Sequence, residues 1–138
     1  ATVGAVPHSL DVAAVLARLE TCMEVDQFYR DPDVTVQSLA AKLGLQHHQL
    51  SWILNRCLGT SFRTYINRYR LEEAERLLIE NPGMTVLEIA FTVGFNSKSA
   101  FNSVFSRETG VSPTVFRHKS HAPRPDLPKP DDVHSRSM

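Results

Sequence analysis

Apolar residues recur at helical spacing along most of this chain. In its first part they occupy one face of a predicted helix from about residue 11 to 30, with i, i+3, i+4 spacing: Val12, Val15, Leu16, Leu19, Met23 and Phe28. The tripeptide Asp31-Pro32-Asp33 is expected to end this helix. From Thr35 onward, no run alternates apolar and polar positions over more than four residues. The pattern therefore predicts an all-α fold.

The chain contains an internal repeat. The segment TVQSLAAKLGL at 35–45 matches TVLEIAFTVGF at 85–95 with an offset of 50 positions. After one inserted residue in the second copy, the match continues at an offset of 51, which pairs Leu50 with Phe101. A repeated pattern of this length indicates two copies of one supersecondary unit.

Each copy has the pattern of a helix-turn-helix. Thr35 or Thr85 stands where the N-cap of a short helix is expected, and Glu88 completes a capping box in the second copy. A small alanine lies within the apolar stripe, so a second helix can cross closely, and a glycine suited to the left-handed conformation follows. The second helix then begins near His47 or Ser97. A short helix, a glycine turn and a second helix define this motif.

A long connector helix is predicted between the two copies, with Ser61 as its N-cap and Pro82-Gly83 after its end. Its roughly 19 residues would span about 28 Å and form a rigid spacer. Ser112 and Pro113 predict one more short helix. The predicted organisation is a linker at 1–10, a domain at 11–119 and a proline-rich disordered tail at 120–138, with helix-turn-helix units at about 35–58 and 85–109 and the connector at about 61–80.

Charge is distributed unevenly, although the formal net charge is zero. Residues 1–34 carry two basic and six acidic side chains, whereas residues 35–119 carry ten basic and six acidic ones. The middle of the chain is therefore about four charges positive beside an acidic N-terminal segment, which favours an anionic partner for the middle.

Other classes of function find little support. Cys22 and Cys57 have no metal-ligand neighbours, and the adjacent residues His47 and His48 do not share a helix face, so no metal and no cofactor are expected. No catalytic triad or paired-carboxylate spacing is present, so no catalytic residue is assigned and the protein is not expected to be an enzyme. Without a signal peptide or an apolar span, a cytoplasmic location is expected. The start at Ala1 rather than Met favours a piece of a longer protein.

The second helix of a helix-turn-helix lies in the DNA major groove, where its N-terminal half meets base edges. The outward positions of the two second helices are His47, His48, Gln49, Ser51, Trp52, Asn55 and Arg56, and Ser97, Lys98, Ser99, Asn102, Ser103, Ser106 and Arg107. Small side chains in the first turn of the second copy allow close approach of a duplex. Lys98 and Asn102 can donate to base acceptors, whereas Arg56 and Arg107 lie toward the phosphates.

Trp52 leaves two alternatives open. A large apolar ring on the outer side of a helix is costly unless it meets a partner. The indole either stacks on a sugar or a thymine methyl group, or folds back onto the connector helix.

Three motifs in a fixed order are specific for one family. They are RLEEAERLL, with Arg70, Ala74, Leu77 and Leu78; IAFTVGF, with Ile89, Ala90, Gly94 and Phe95; and FNSVFSRETGVSPTVFR, with Phe101, Phe105, Arg107, Gly110, Pro113, Phe116 and Arg117. Over residues 35–119 the sequence resembles the DNA-binding domain of AraC/XylS-type bacterial transcription regulators, and residues 11–30 resemble its first helix. The resemblance implies a homeodomain-like fold of about seven helices, in which both recognition helices enter successive major grooves of double-stranded DNA.

The resemblance also implies a set of contact residues. Base contacts are expected from His48, Ser51, Trp52, Lys98, Ser99, Asn102 and Ser103, and phosphate contacts from Arg56, Arg107, Asn55, Ser97 and Arg117. The chain departs from the family at Ser106, where many members have Lys, and at Phe116, where many have Tyr.

The family further implies RNA polymerase as a partner and a separate sensing or dimerisation domain outside these residues. In some members that other part is a membrane-embedded sensor, so the cytoplasmic part of a longer, even membrane-anchored, regulator is an alternative for the location. An alternative from another class is a helical protein-interaction module that has lost DNA binding. The neutral total charge, the outward Trp52 and the acidic first helix would fit such a module.

Overall fold

The computed structural model of the protein describes residues 11–121, and this part of the chain is all-α, as predicted. It contains seven α-helices and one short 3-10 helix. They are α1 (Val12–Glu24), the 3-10 helix (Phe28–Arg30), α2 (Val36–Lys42), α3 (His47–Cys57), α4 (Phe62–Glu80), α5 (Val86–Val93), α6 (Lys98–Thr109) and α7 (Pro113–His121). The predicted linker at 1–10 and nearly all of the predicted tail lie outside the described residues, and the division into domains stays a prediction.

The prediction of one continuous helix from 11 to 30 is wrong in its second half. Helix α1 ends at Glu24, and Gln27 adopts a left-handed conformation with φ 52° before the 3-10 helix begins. The change of direction brings the hydroxyl of Tyr29 to Glu73 on α4, where it donates to Oε1 at 3.0 Å. Phe28 continues the apolar spacing of α1, so periodicity alone could not reveal the break.

The two repeats have the same backbone design. The hydroxyls of Thr35 and Thr85 accept hydrogen bonds, both at 3.0 Å, from the backbone N–H three residues later. After each short helix, a backbone N–H donates across the turn to the carbonyl of the buried alanine: Leu45 to Ala40 at 2.8 Å and Phe95 to Ala90 at 2.9 Å. A glycine with positive φ, Gly44 (73°) or Gly94 (114°), precedes that donor in each copy. The N-cap and turn chemistry predicted from the repeat is therefore present in both units.

Two separate apolar cores hold the recognition helices. The first core joins α1, the 3-10 helix, α2, α3 and the N-terminal part of α4, which contributes Tyr65 and Ile66. The second core joins α5, α6 and the C-terminal part of α4, and Phe116 of α7 packs against it. Helix α4 contributes Leu71, Ala74 and other residues to the second core. This single 19-residue helix therefore connects the two units through its own buried side chains.

A polar junction lies between the two cores, at the centre of α4. Glu73 is 5% exposed and accepts hydrogen bonds from Tyr29 and Arg30. It also forms an ion pair with Arg30. Burial alone would raise the pKa of the Glu73 carboxyl. The hydrogen bonds from Arg30 and Tyr29 and the charges of Arg30 and Arg76 outweigh it, so the pKa lies below the ordinary value. One turn earlier, Arg70 donates to the carbonyls of Tyr29 at 2.8 Å and Asp31 at 3.0 Å.

Candidate nucleic-acid interface

Helix α6 exposes the side chains that were predicted to read bases. Its N-cap is Ser97, whose Oγ accepts a hydrogen bond from the N–H of Ala100 at 3.0 Å. Phe101 and Phe105 are fully buried on the inner face. The predicted base contacts lie on the remaining surface: Lys98, Ser99 and Ser103 are exposed and Asn102 is half-buried. The N-terminal half of α6 therefore presents short polar groups and one ammonium group to solvent.

Helix α3 has the same arrangement with larger side chains. Gln49 accepts a hydrogen bond from the backbone N–H of Gln46 at 2.9 Å through its own side chain, which closes the first turn. The inner face is formed by Leu50, Ile53 and Leu54, which are completely buried. Of the predicted base contacts, His48 is exposed, whereas Ser51 and Trp52 are half-buried.

The indole of Trp52 lies with its polar edge against the protein. Its Nε1 is buried and has no hydrogen-bond acceptor among residues 11–121. Because this donor is covered, the solvent-exposed part of the residue is apolar. A contact between this ring and DNA would therefore be a van der Waals contact with a sugar or a thymine methyl group, and not a hydrogen bond to a base edge.

The predicted phosphate contacts differ in how far their donors are already used. Arg56, in the last turn of α3, is exposed and forms neither an ion pair nor a hydrogen bond within the described range. Asn55 donates to the carbonyl of Ser51 at 2.9 Å, so its amide is turned onto its own helix. Ser97 keeps its hydroxyl hydrogen free for a further acceptor, since its oxygen serves as the N-cap.

The two remaining arginines have internal acceptors. Arg107 pairs with Glu108 at 3.1 Å, and it lines a cavity of about 200 Å³ together with Glu72 and Glu75. Arg117 donates to two carbonyls at the end of α4, those of Leu78 at 3.0 Å and Asn81 at 3.2 Å. In this position the guanidinium of Arg117 caps α4 and holds α7 against it. The sequence motif gave no sign of this role, because it depends on where α7 packs.

A cleft of about 330 Å³ was not predicted from the sequence. It lies beside the first turn of α6, where Asn96 and Ala100 line it, and on α4 its lining includes Arg63 and Asn67. Both α4 residues fall outside the two repeats, where no motif marks them. The only feature of the sequence that could have indicated this pair is its spacing of one helical turn, and many pairs of solvated residues on helices have the same spacing.

Comparison with known proteins identifies the family. A family model described as a helix-turn-helix domain matches residues 39–119, which is more than half of the chain. The chain belongs to the AraC-type helix-turn-helix family. This membership confirms the function class predicted for the domain, DNA binding in transcription regulation.

Curated relatives of this AraC-type domain include two operon regulators. The Msm operon regulatory protein of Streptococcus mutans is 35% identical over 82 residues, which are 59% of this chain and 29% of that protein. The melibiose operon regulatory protein of Escherichia coli K12 is 30% identical over 98 residues, which are 71% of this chain and 32% of that protein. The chain thus spans about a third of the length of these relatives.

Solved structures show the same fold. The C-terminal domain of AraT, a response regulator from Geobacillus stearothermophilus, aligns with a TM-score of 0.75 at 24% identity, over 91% of this chain and 99% of that one. The DNA-binding domain of AdpA, solved in complex with a target DNA, aligns with a TM-score of 0.67 at 26% identity, over 84% and 97% of the two chains. At 24% identity, the similarity to AraT concerns the fold alone.

Residues 11–121 of this AraC-type domain lack two kinds of feature. No helix in that range combines the length and the apolar character needed to cross a membrane. In the same residues, no three His, Cys, Asp or Glu side chains come together as metal ligands.

Proposed function

We propose that this AraC-type domain binds double-stranded DNA in a sequence-specific manner, with α3 and α6 in successive major grooves of one duplex face. The observation that carries the proposal is the arrangement of the two helices. Each buries its apolar face in a separate core and leaves the N-terminal half of its outer face to solvent, and one 19-residue helix joins the two cores. Major grooves on one face of B-form DNA recur about every 34 Å, which one rigid connector can match.

The two recognition helices are proposed to read bases by different chemistry. In α6, Lys98 and Asn102 donate to base acceptors, and the small Ser99 and Ser103 admit the duplex closely. In α3, His48 and Ser51 offer polar contacts, while the exposed apolar part of Trp52 supplies a van der Waals surface. The site read by α3 would therefore depend more on shape and on thymine methyl groups than the site read by α6.

Phosphate contacts are proposed for Arg56, Ser97 and Arg107. Arg107 would have to release Glu108 in order to bind a phosphate. The free-energy cost is small, because an exposed ion pair contributes at most about 1 kcal/mol. Asn55 would have to leave the Ser51 carbonyl. Arg117 is assigned to the packing of α7, because two of its donors are held by α4 carbonyls.

The activity of the whole protein is also a proposal. Relatives that carry such a domain are named as operon regulators, and this chain corresponds to about a third of their length. We infer a role in placing a transcription regulator at a promoter, with RNA polymerase and a separate sensing or dimerisation domain as partners. An enzymatic activity is not part of this proposal.

A salt titration tests DNA binding itself. If the domain neutralises about four to eight phosphates, log K for mixed-sequence duplex falls against log salt with a slope of about −4 to −7. Binding that does not change with salt would contradict the proposal and favour the protein-interaction module. Selection from random duplexes, followed by sequencing of the bound sites, then gives the motif and the spacing of its two halves.

Substitutions test the division of roles at the selected site. Lys98→Ala or Asn102→Ala is expected to cost about 1–3 kcal/mol of binding free energy and to relax preference at one base position. Arg56→Ala is the matched control, since loss of a phosphate contact weakens all sequences alike. A change of base preference in the Arg56 variant alone would overturn the assignment.

A further inference from the structure

The arginines of the domain fall into two groups, those that donate hydrogen bonds within the domain and those that do not. Of the nine arginines in residues 11–121, six donate to carbonyl or carboxylate oxygens. The other three, Arg56, Arg63 and Arg68, form no hydrogen bond and no ion pair within that range and are exposed. Such residues keep all their donors for an external acceptor. Arg56 already belongs to the proposed interface, so Arg63 and Arg68 remain to be explained.

Arg63 and Arg68 lie on different sides of α4. Arg63 lines the cleft of about 330 Å³ beside the first turn of α6, together with Asn96 and Ala100. Arg68 does not line that cleft. It lines a second cavity with Asn67 and Arg107, and three glutamates, Glu72, Glu75 and Glu108, also line that cavity. The two arginines therefore share a helix and a degree of exposure, but they differ in their surroundings.

The cleft borders elements that are proposed to contact DNA. Its lining also includes Pro32 and Val34, just before the N-terminus of α2, and the turn that leads into α6. In a helix-turn-helix the first helix crosses the phosphate backbone, and the start of the second helix meets the bases. A duplex bound by α3 and α6 would therefore pass this cleft between its two recognised elements.

Asn67 adds a polar residue to the same cleft. It lines the cleft one turn after Arg63, it also lines the cavity that contains Arg68, and 8% of the residue is exposed. It forms no side-chain hydrogen bond with any other residue between 11 and 121. Trp52 Nε1 is the one fully buried side-chain nitrogen or oxygen of residues 11–121 without a partner, so the unpaired amide of Asn67 keeps contact with solvent. The amide can therefore donate to a group that enters the cleft.

The charges around the cleft favour an anion. Arg70 also lines it and remains positively charged, although burial lowers the pKa of its guanidinium. Asp31 carries a negative charge close to Arg70, and its backbone carbonyl accepts a hydrogen bond from Arg70 Nη2 at 3.0 Å. Arg63 has no carboxylate partner. Its planar donors suit two oxygens of one phosphate, and the Asn67 amide can donate to the same group.

We propose that Arg63 and Asn67 bind a backbone phosphate of the duplex segment between the two elements read by α3 and α6. This inference rests on the proposed function, and it adds a contact at the middle of the site to those at its two ends. Such a contact carries no base information, but it would fix the register of the connector helix on the duplex.

The first test compares Arg63→Gln with Arg68→Gln in the complete 138-residue chain. Arg63→Gln is expected to weaken binding about tenfold and to reduce the size of the salt slope by about 1, with base preference unchanged. Arg68→Gln, the matched control, is expected to bind as the wild type does. Equal binding by the wild type and the Arg63 variant would overturn the inference while leaving the proposed function in place.

A second test locates the contact on the DNA. Uncharged methylphosphonate groups replace the phosphates midway between the two elements, one position at a time. Wild-type binding is expected to weaken at one or two adjacent positions, and Arg63→Gln is expected to show no further loss there. Equal losses for both proteins would show that Arg63 lies elsewhere and would contradict the inference. Absence of salt-dependent binding by the wild type would refute the proposed function and this inference with it.

Asn67→Asp provides a check on the second residue. The substitution keeps the shape of the side chain and adds a negative charge, so DNA binding is expected to weaken more than tenfold through repulsion of the phosphate. Thermal unfolding of the free variant separates this effect from loss of the fold. If the Asn67 variant unfolds at a lower temperature than the wild type, the methylphosphonate comparison with Arg63→Gln still tests the proposed phosphate contact. A stable variant with wild-type affinity would exclude Asn67 from the contact.

Discussion

The two helix-turn-helix units have the same turn, but the turns have different surroundings. At Gly44 in the first unit, a Cβ would meet no atom within 4 Å. At Gly94 in the second unit, it would overlap the carbonyl oxygen of Tyr29 and lie 2.8 Å from Nε of Arg70. The second turn is therefore pressed against the polar junction of α4, whereas the first is open to solvent.

The cores of the two units differ as well. The first is mainly aliphatic around α2 and α3. The second contains a chain of rings in which Phe101 lies 5.3 Å from Phe95 and 5.5 Å from Phe105, and Phe105 lies 5.4 Å from Phe116 of α7. The comparison teaches that the repeat duplicates backbone and caps, while the neighbours of each unit decide how tightly its recognition helix is held.

The strongest test of this difference is Gly94→Ala against Gly44→Ala. An alanine at a positive φ costs about 1–2 kcal/mol in either unit, and overlap at position 94 adds about 1–3 kcal/mol. Gly94→Ala is therefore expected to lower the free energy of unfolding by roughly twice as much as Gly44→Ala, as measured by urea denaturation. Equal losses would mean that the close contact at Gly94 relaxes freely.

Glu73→Gln tests the junction that supports the second turn. The substitution removes a charge from a buried group with several hydrogen bonds, and a loss of about 2 kcal/mol is expected near neutral pH. Because the folded pKa of Glu73 lies below its ordinary value of 4.5, its stabilisation is complete above that pH. It is lost as the pH falls through the folded pKa.

Denaturation of the wild type and of Glu73→Gln at several pH values measures this effect. The two stability curves should converge as the pH falls below about 4.5 and stay apart above it. Convergence on raising the pH instead would contradict the proposed ionic state of Glu73.

Arg18 and Arg117 offer a smaller, paired comparison. Arg18 on α1 donates to the carbonyls of Leu43 at 3.1 Å and Lys42 at 3.4 Å, much as Arg117 donates to the end of α4. Each Ala variant is expected to lose about 1–2 kcal/mol of stability, with the larger loss at Arg117, whose second bond is shorter. DNA affinity, measured well below the unfolding temperature, should not change for Arg117→Ala. A large loss of affinity in that stable variant would restore Arg117 to the phosphate contacts.

The smallest effects are expected at the N-caps, where the units are alike. Thr35→Ala and Thr85→Ala should each lower stability by about 1 kcal/mol, since each removes one side-chain acceptor from a backbone N–H. Equal effects by urea denaturation would show that the two units are alike at their N-caps. A much larger effect at Thr85 would mean that its hydroxyl stabilises α5 more than the hydroxyl of Thr35 stabilises α2.

The sequence by itself determined the features that depend on local chemistry and on repetition. Helical spacing gave the all-α fold, the Thr and Ser N-caps marked helix starts, and the repeat revealed two equivalent units with outward polar positions. These features are readable because each depends on residues within a few positions of one another.

Only the tertiary structure decided which polar groups already form hydrogen bonds or ion pairs within the domain. Arg117 and Arg63 are both helical arginines outside the two repeats, but one is held by carbonyls of α4 and the other has no partner within residues 11–121. The break after α1 and the burial of Glu73 were equally hidden, because both depend on contacts between residues more than 40 positions apart. Sequence patterns report which face a residue occupies, whereas the partners of a charge are set by how distant helices pack.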